Sequence, residues 1–329
     1  MEDGGKVGNA LFPLLFSPAS AIVSRLAARR AARPGFLAPV PVLCCGNVTL
    51  GGAGKTILAL ALARLLAEAG IAVHILARGY GGRLAGPLRV QTGSEPPAHD
   101  ATAVGDEALV LAAAAPTWIG ADRAATARAA LAAGAKAFLL DDGLQNPTLE
   151  KSLSFLVIDG AAGFGNGRVV PAGPLREPPS AAARRVQAAV LIGADLHGAR
   201  ALLPPALPVL TARLLPGPEA ALLAGRPVLA FAGIARPAKF FKTLEEAGAV
   251  LLARRSFPDH HPYRPREVAR LLAEAARLGA LPVTTAKDRV RLPPADQARV
   301  AALSVSLAFD DPPALEALLS PLFPLMAGP

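Results

Sequence analysis

Residues 46–56 read GNVTLGGAGKT, between an apolar run, PVPVLCCGNV, and a helical stretch, KTILALALARLLAEAG, that closes on Gly70. Strand, glycine-rich loop and helix, in that order, build a phosphate cradle. Backbone N–H groups of the loop turn inward, and the helix N-terminus favours negative charge. The common pattern is GxxxxGK followed by Ser or Thr. Gly54, Lys55 and Thr56 satisfy its second half, but Thr49 stands where the first glycine belongs. The expected nucleotide-phosphate residues are still Thr49, Gly51, Gly52, Ala53, Gly54, Lys55 and Thr56. The glycines supply unrestricted backbone, Lys55 reaches the β- and γ-phosphates, and the Thr56 hydroxyl holds magnesium. Such a loop also needs an acid at the end of a neighbouring apolar strand, and AFLLDDG supplies Asp141 and Asp142.

Working outward, apolar β-rich runs alternate with helical segments: IAVHILARGYGG, GDEALVLAAAA, APTWIG, DRAATARAALAAGA, KAFLLDDG, SFLVIDG and AAVLIGA. That alternation predicts an α/β fold of the P-loop NTPase type, a mostly parallel sheet with helices on both faces and ligands at the carboxyl ends of its strands. A Pro/Gly-rich hinge around Pro216-Gly217-Pro218 precedes a further strand–helix series from RPVLAFAGI to LPVTTAKD. The expected organisation is an N-terminal helix within 1–34, a P-loop domain over 35–215 and a smaller α/β domain over 216–329 that closes over the site.

The chain has 329 residues and a formal charge of +9. Such a charge suits nucleic acid, anionic lipid or phosphorylated substrates. No aromatic residues interleave with Lys/Arg as a base-stacking platform, so nucleic acid is not expected. The two cysteines, Cys44 and Cys45, are adjacent in an apolar run and read as buried strand residues. The uncharged run Val7–Ser24 is broken by Pro13 and Pro18. It is too interrupted for a membrane span of roughly 20 apolar residues, and Glu2 and Asp3 spoil a signal peptide. A short helix with Ser17 as N-cap is expected instead, with Ala19, Ile22, Val23 and Leu26 on one face and Arg25, Arg29, Arg30 and Arg33 towards its end. It either packs on the core or lies in a membrane interface.

Three loops carry further candidates. GDE places Asp106 and Glu107 at a helix start, where acids also serve as dipole partners. GFGNGRVVPAGPLREP is a long Gly/Pro loop ending in Arg176 and Glu177, and an arginine there can act on phosphate charge. FPDHHPY sets Asp259, His260 and His261 together; adjacent histidines point apart, so at most one serves a site. GTPase signatures fail: DxxG is absent after Asp141, and TAKD is not a guanine reader. Leu50 stands where dimeric partitioning ATPases carry lysine, and GFGNG is not a dinucleotide fingerprint.

Taken in order, GNVTLGGAGKT, RGYGG, GDEALVLA, DDGLQ, DGAAGFGNGRVVPAGPLRE, AFAGIARPAKFF, FPDHHPY and TTAKD resemble the tetraacyldisaccharide 4'-kinase family of lipid A synthesis, from about residue 10 to 292. In that family a threonine or serine at the first P-loop position is usual. The resemblance implies ATP and Mg2+, an acylated glucosamine disaccharide 1-phosphate as lipid acceptor, transfer to its 4'-hydroxyl to give lipid IVA, and peripheral attachment at the cytoplasmic face of the inner membrane. No obligate protein partner is implied. It also implies Asp106 as base with His260 as partner across a domain cleft. Lys55 and Arg176 would act on phosphate charge, with Thr56, Glu107, Asp141 and Asp142 around magnesium. The family's DDGxQH has Asn146 here in place of histidine, which puts any acid/base role at that position in doubt. The competing readings are a membrane-associated regulatory ATPase and a soluble small-molecule kinase.

Overall fold

The computed structural model describes residues 16–92 and 98–327, so residues 1–15 of the N-terminal expectations lie outside it. In chain order the elements begin with α1 (Ser17–Ala31), β1 (Val42–Gly46), α2 (Lys55–Glu68), β2 (Val73–Ala77), β3 (Leu88–Arg89), α3 (Ala101–Val104), α4 (Asp106–Ala112) and β4 (Thr117–Ile119). They continue with α5 (Arg123–Ala132), β5 (Ala137–Asp141), β6 (Leu153–Asp159), α6 (Pro179–Ala183), β7 (Ala188–Ile192) and β8 (Val209–Pro216). The later part holds β9 (Pro227–Ala232), α7 (Pro237–Glu246), β10 (Val250–Ser256), α8 (Pro265–Arg277), β11 (Leu281–Thr285), α9 (Ala286–Arg289) and β12 (Ala301–Leu303).

Two compact units emerge. The first comprises Met1–Ala77, Asp122–Arg213 and Ala308–Pro329; the second comprises Arg78–Ala121 and Leu214–Leu307. This differs from the contiguous division expected from the hinge, because residues 78–121 group with the later segment rather than with the strands on either side of them in the chain.

In the first unit β8, β7, β6, β1, β5 and β2 lie side by side in that order, all parallel. Every residue of β1, β2, β5, β6 and β7 is buried, so these strands are mostly apolar on both faces rather than alternating, with His74, Asp141, Ser154 and Asp159 as buried polar exceptions. That is the signature of a sheet covered on both faces. Helix α2 buries Leu58, Ala59, Leu62, Ala63 and Leu66, a stripe at helical spacing, and packs on β1, β2 and β5. Cys44 and Cys45 are free and fully buried, and burial pushes the Cys44 thiol up to about 12. They are inert core residues.

The second unit is built on a parallel sheet ordered β10, β9, β11, β12, with β3 and β4 forming a short antiparallel pair. Alternate residues of β9 serve two cores. Val228, Ala230 and Ala232 pack with Phe240, Phe241 and Leu244 of α7, and Leu229 and Phe231 pack with Val268 and Leu271 of α8. The period of two along the strand thus places one helix on each face.

Helix α1 begins one residue earlier than expected: Phe16 is its N-cap, without a side-chain bond, and Ser17 is already helical. Its one buried residue is Ser20, whose hydroxyl donates to Val169 O at 2.7 Å. Ile22 and Leu26 are each 58% exposed, so the apolar face is not spent on the core. No helix among the described residues is long and apolar enough to cross a membrane.

Candidate active site

Each unit brings expected site residues together in a cluster. In the first, the loop after β1 delivers α2 with Gly54 as N-cap at φ 95°, a conformation that L side chains rarely adopt. A Cβ there would also lie 2.6 Å from Ile192 Cδ1. The departure at Thr49 has a structural cause. Asn47, almost fully buried, donates through Nδ2 to Thr49 O and Thr49 Oγ1, both at 2.9 Å. Its Oδ1 accepts from Lys55 Nζ at 2.9 Å. One amide therefore braces the loop and aims the lysine, and a glycine at 49 would forfeit one of those bonds.

Around this loop the expected residues converge. The Thr56 hydroxyl donates to Asp141 Oδ2 at 3.1 Å. Asp142 takes both carboxylate oxygens to Arg176 Nη1, at 2.8 and 2.9 Å, and lies 3.4 Å from Lys55 Nζ. Burial pushes the Asp142 carboxyl up, but the Lys55 ammonium and the Arg176 guanidinium outweigh it and hold its pKa below the ordinary value. Arg176 arrives from the long Gly/Pro loop, which is tied to the cradle by Leu50 N–H to Pro174 O at 2.8 Å and by the Thr49–Leu175 bridge. Gln145 completes the tie, donating to Asn47 O and Glu177 Oε1 at 2.9 and 3.0 Å and accepting from Arg176 at 3.3 Å.

In the second unit, His260 Nδ1 and Asp106 Oδ2 are 3.0 Å apart. Gly105, at φ 88°, turns the chain from α3 into α4 so closely that a Cβ would lie 2.3 Å from Tyr80 O; Asp106 is the next residue. The Asp106 carboxylate is 4% exposed and has three partners: His260, its own neighbour Glu107 N–H at 2.8 Å, and Arg291 Nε at 3.2 Å. Burial raises its pKa, while the His260 hydrogen bond and the charges of Lys287, His260 and Arg291 lower it by more, leaving the group ionised. The Asp106 hydrogen bond conversely raises the His260 pKa above its ordinary value, against burial and the Lys287 charge. His261 points elsewhere, to Glu267 at 2.6 Å and stacked on Phe257.

Asp142 and His260 share a further property. They are the non-glycine residues with positive φ among those described, at 55° and 58°. Such conformations cost about 1–3 kcal/mol each and persist where the surroundings enforce them, commonly at functional positions.

Two expectations change. Asp106 and His260 do not meet across a domain cleft; both belong to the second unit, because residues 78–121 pack with the later segment. Glu107 belongs there too, and its carboxylate accepts from Lys287 at 3.0 Å, whereas Thr56, Asp141 and Asp142 cluster in the first unit. Asn146 accepts from Thr148 N–H and Thr148 Oγ1 at 2.9 and 2.7 Å, a turn-fixing role in which a titratable group has no part.

Reading the sequence did not single out Asn47, Lys287 and Arg291, which the structure sets in contact with the candidate site residues. Asn47 and Lys287 stand inside quoted motifs, GNVTLGGAGKT and TTAKD, so their position was a signal. Arg291 carries none. It is 5% exposed and spends its guanidinium on Asp106, Asp288 Oδ1 at 2.9 Å, Gly233 O at 2.9 Å and His261 O at 3.2 Å.

A family model described as tetraacyldisaccharide-1-P 4'-kinase (LpxK) matches residues 11–323. The chain is 58% identical to the tetraacyldisaccharide 4'-kinase of Gluconacetobacter diazotrophicus over 305 residues, covering 93% of this chain and 92% of the relative. It is 54% identical to that of Rhodospirillum centenum over 315 residues, covering 95% and 92%. Among solved structures it resembles LpxK from Aquifex aeolicus in complex with ATP, with a TM-score of 0.73 at 25% identity, over 94% of this chain and 99% of that one.

Proposed function

The chain belongs to the tetraacyldisaccharide-1-P 4'-kinase family, and from that premise we propose that it transfers the γ-phosphoryl of ATP to the 4'-hydroxyl of a tetraacylated glucosamine disaccharide 1-phosphate. The loop from Thr49 to Thr56 binds the phosphates through backbone N–H groups and Lys55. Arg176, held ready on Asp142, takes up charge that develops on the transferred group. The Asp106–His260 pair accepts the hydroxyl proton.

A hydroxyl and a carboxylate oxygen 3.1 Å apart, Thr56 and Asp141, are a hard-oxygen donor set that fits Mg2+. When bound, Mg2+ screens the β- and γ-phosphate charge. Asp142 is an additional ligand only after giving up its cationic partner.

The observation that carries this reading is the pairing of the buried Asp106 carboxylate with the partly exposed His260 imidazole. A switch ATPase activates water beside its own nucleotide site, whereas a sugar alcohol needs a dedicated base. The deciding experiment incubates the protein with γ-labelled ATP, Mg2+ and the tetraacylated acceptor. Label should appear in the lipid. Release of labelled phosphate without labelled lipid would mean a regulatory ATPase, and equal rates on the deacylated disaccharide would mean a soluble small-molecule kinase.

Attachment at the cytoplasmic face of the inner membrane belongs to the same proposal. Helix α1 supports it by exposing Ile22 and Leu26 together with Arg25, Arg29 and Arg30. Neutralising those three arginines to glutamine should weaken binding to anionic vesicles by about 1 kcal/mol per charge. Unchanged vesicle binding would remove the helix from the account.

A further inference from the structure

Beyond the cradle, the first unit has a polar cavity of about 260 Å3 at the foot of α1. Arg33, Lys151 and Arg185 line it together with Asn146, and the carboxylate on its wall, Glu150, is exposed. Arg185 is already paired with Glu177, outside the lining. Lys151 donates to Asn146 O, yet burial and then the charges of Arg185 and Arg123 hold its pKa below the ordinary lysine value. With Arg185 paired, the lining still sets two basic side chains, Arg33 and Lys151, against the one carboxylate of Glu150.

Its walls are fixed rather than loose. Phe36 N–H donates to Thr148 O at 2.9 Å and Glu150 N–H to Phe36 O at 3.0 Å, which clamps the chain just after Arg33 to the segment that carries Lys151. Arg128 stacks on the Phe36 ring at 4.3 Å and adds to the clamp. The C-terminal dipole of α1 disfavours an anion by about 0.3–1 kcal/mol at such a position. Cationic side chains converging on one cavity act in the opposite sense and at shorter range. The cavity also adjoins the helix whose exposed face is apolar and basic.

We propose that this cavity binds a phosphate group carried on a lipid, through Arg33 and Lys151. Two sources share that chemistry: the headgroup of an anionic phospholipid and the phosphate already present on the acceptor. The second source rests on the function proposed above; the first does not.

The test compares Arg33→Gln, Lys151→Gln and, as a control on α1, Arg29→Gln, each checked for an unchanged melting temperature. One arm measures binding to phosphatidylcholine vesicles with and without phosphatidylglycerol. The other measures KM for the acceptor in neutral detergent. If the headgroup is the ligand, Arg33→Gln and Lys151→Gln each lose about fivefold of the phosphatidylglycerol-dependent affinity, the equivalent of about 1 kcal/mol per charge. If the acceptor's phosphate is the ligand, KM rises by a similar factor and vesicle binding is unmoved. Lys151→Gln behaving as wild type in both arms overturns the site in favour of diffuse charge, and Arg29→Gln measures what an exposed charge on α1 contributes by itself. Should Lys151→Gln not fold, Glu150→Gln takes its place: removing the exposed carboxylate from the cavity wall should strengthen the same arm by a similar factor, and no gain in either arm overturns the site. Transfer of label by the wild-type protein reports on the kinase reading separately, so the two can fail independently.

Discussion

Replacing Lys55 by alanine is expected to lower kcat for phosphoryl transfer by at least about 10²–10³-fold while the melting temperature stays close to wild type. The size follows from where the ammonium is held. Asn47 Oδ1 fixes it at 2.9 Å, it lies 3.4 Å from Asp142, and its side chain is 12% exposed. A cation so restrained costs no reorganisation when charge builds on the transferred oxygens. Stability is spared because Arg176 keeps Asp142 neutralised through its own two contacts. Arginine at position 55 is not expected to rescue, since a planar fork cannot reproduce a point charge set by one amide oxygen. Measured single-turnover transfer near the wild-type rate in Lys55→Ala would take the loop out of the mechanism.

The parts of this molecule that could be read from sequence are those whose physics is local. The apolar runs that became β1, β5, β6 and β7 are buried on both faces, so each announces itself as an unbroken stretch. The cradle is equally legible, because strand, loop and helix follow one another in the chain. Helix α4 starts at Asp106 as GDE suggests. What local pattern cannot supply is the company a residue keeps across more than a hundred positions. Asp106 and His260 are 154 residues apart, and their assignment to one unit depends on how 78–121 pack. Arg291 lies in a polar stretch with no motif, and only its burial against Asp106 and Asp288 gives it a role. Helix α1 shows a different failure. Its sequence offers an apolar face, and the structure buries the hydroxyl of Ser20 instead, because that is the side chain able to satisfy Val169 O.

The second large effect concerns the Asp106–His260 pair. A sugar hydroxyl is a poor nucleophile at neutral pH, so its proton has to pass to a positioned base as phosphorus is attacked. Asp106 is ionised but closely surrounded, accepting from His260 and Glu107 N–H beside the Arg291 guanidinium. His260 is 35% exposed, and its Nε2 is 3.4 Å from Lys287 Nζ. With Nδ1–H donated to the carboxylate, Nε2 is left to accept, and a proton taken up by either member is stabilised by the other. Asp106→Asn and His260→Ala should each lower kcat by about 10²–10⁴, with KM for ATP changed little, since neither belongs to the cradle. The double variant should be scarcely worse than the worse single one, because the two act as a unit. The pH profile gives an independent reading. Asp106 raises the His260 pKa, so the pair must lose a proton at a pH above the ordinary histidine value before it can accept one. Activity should therefore rise with pH through that higher value, as a property of the coupled pair. In His260→Ala the residual activity should lose this limb and keep only one in the carboxylate range. Fully additive losses, an unmoved acid limb in His260→Ala, or greater damage from His261→Ala than from His260→Ala would each show that the proton leaves by another route.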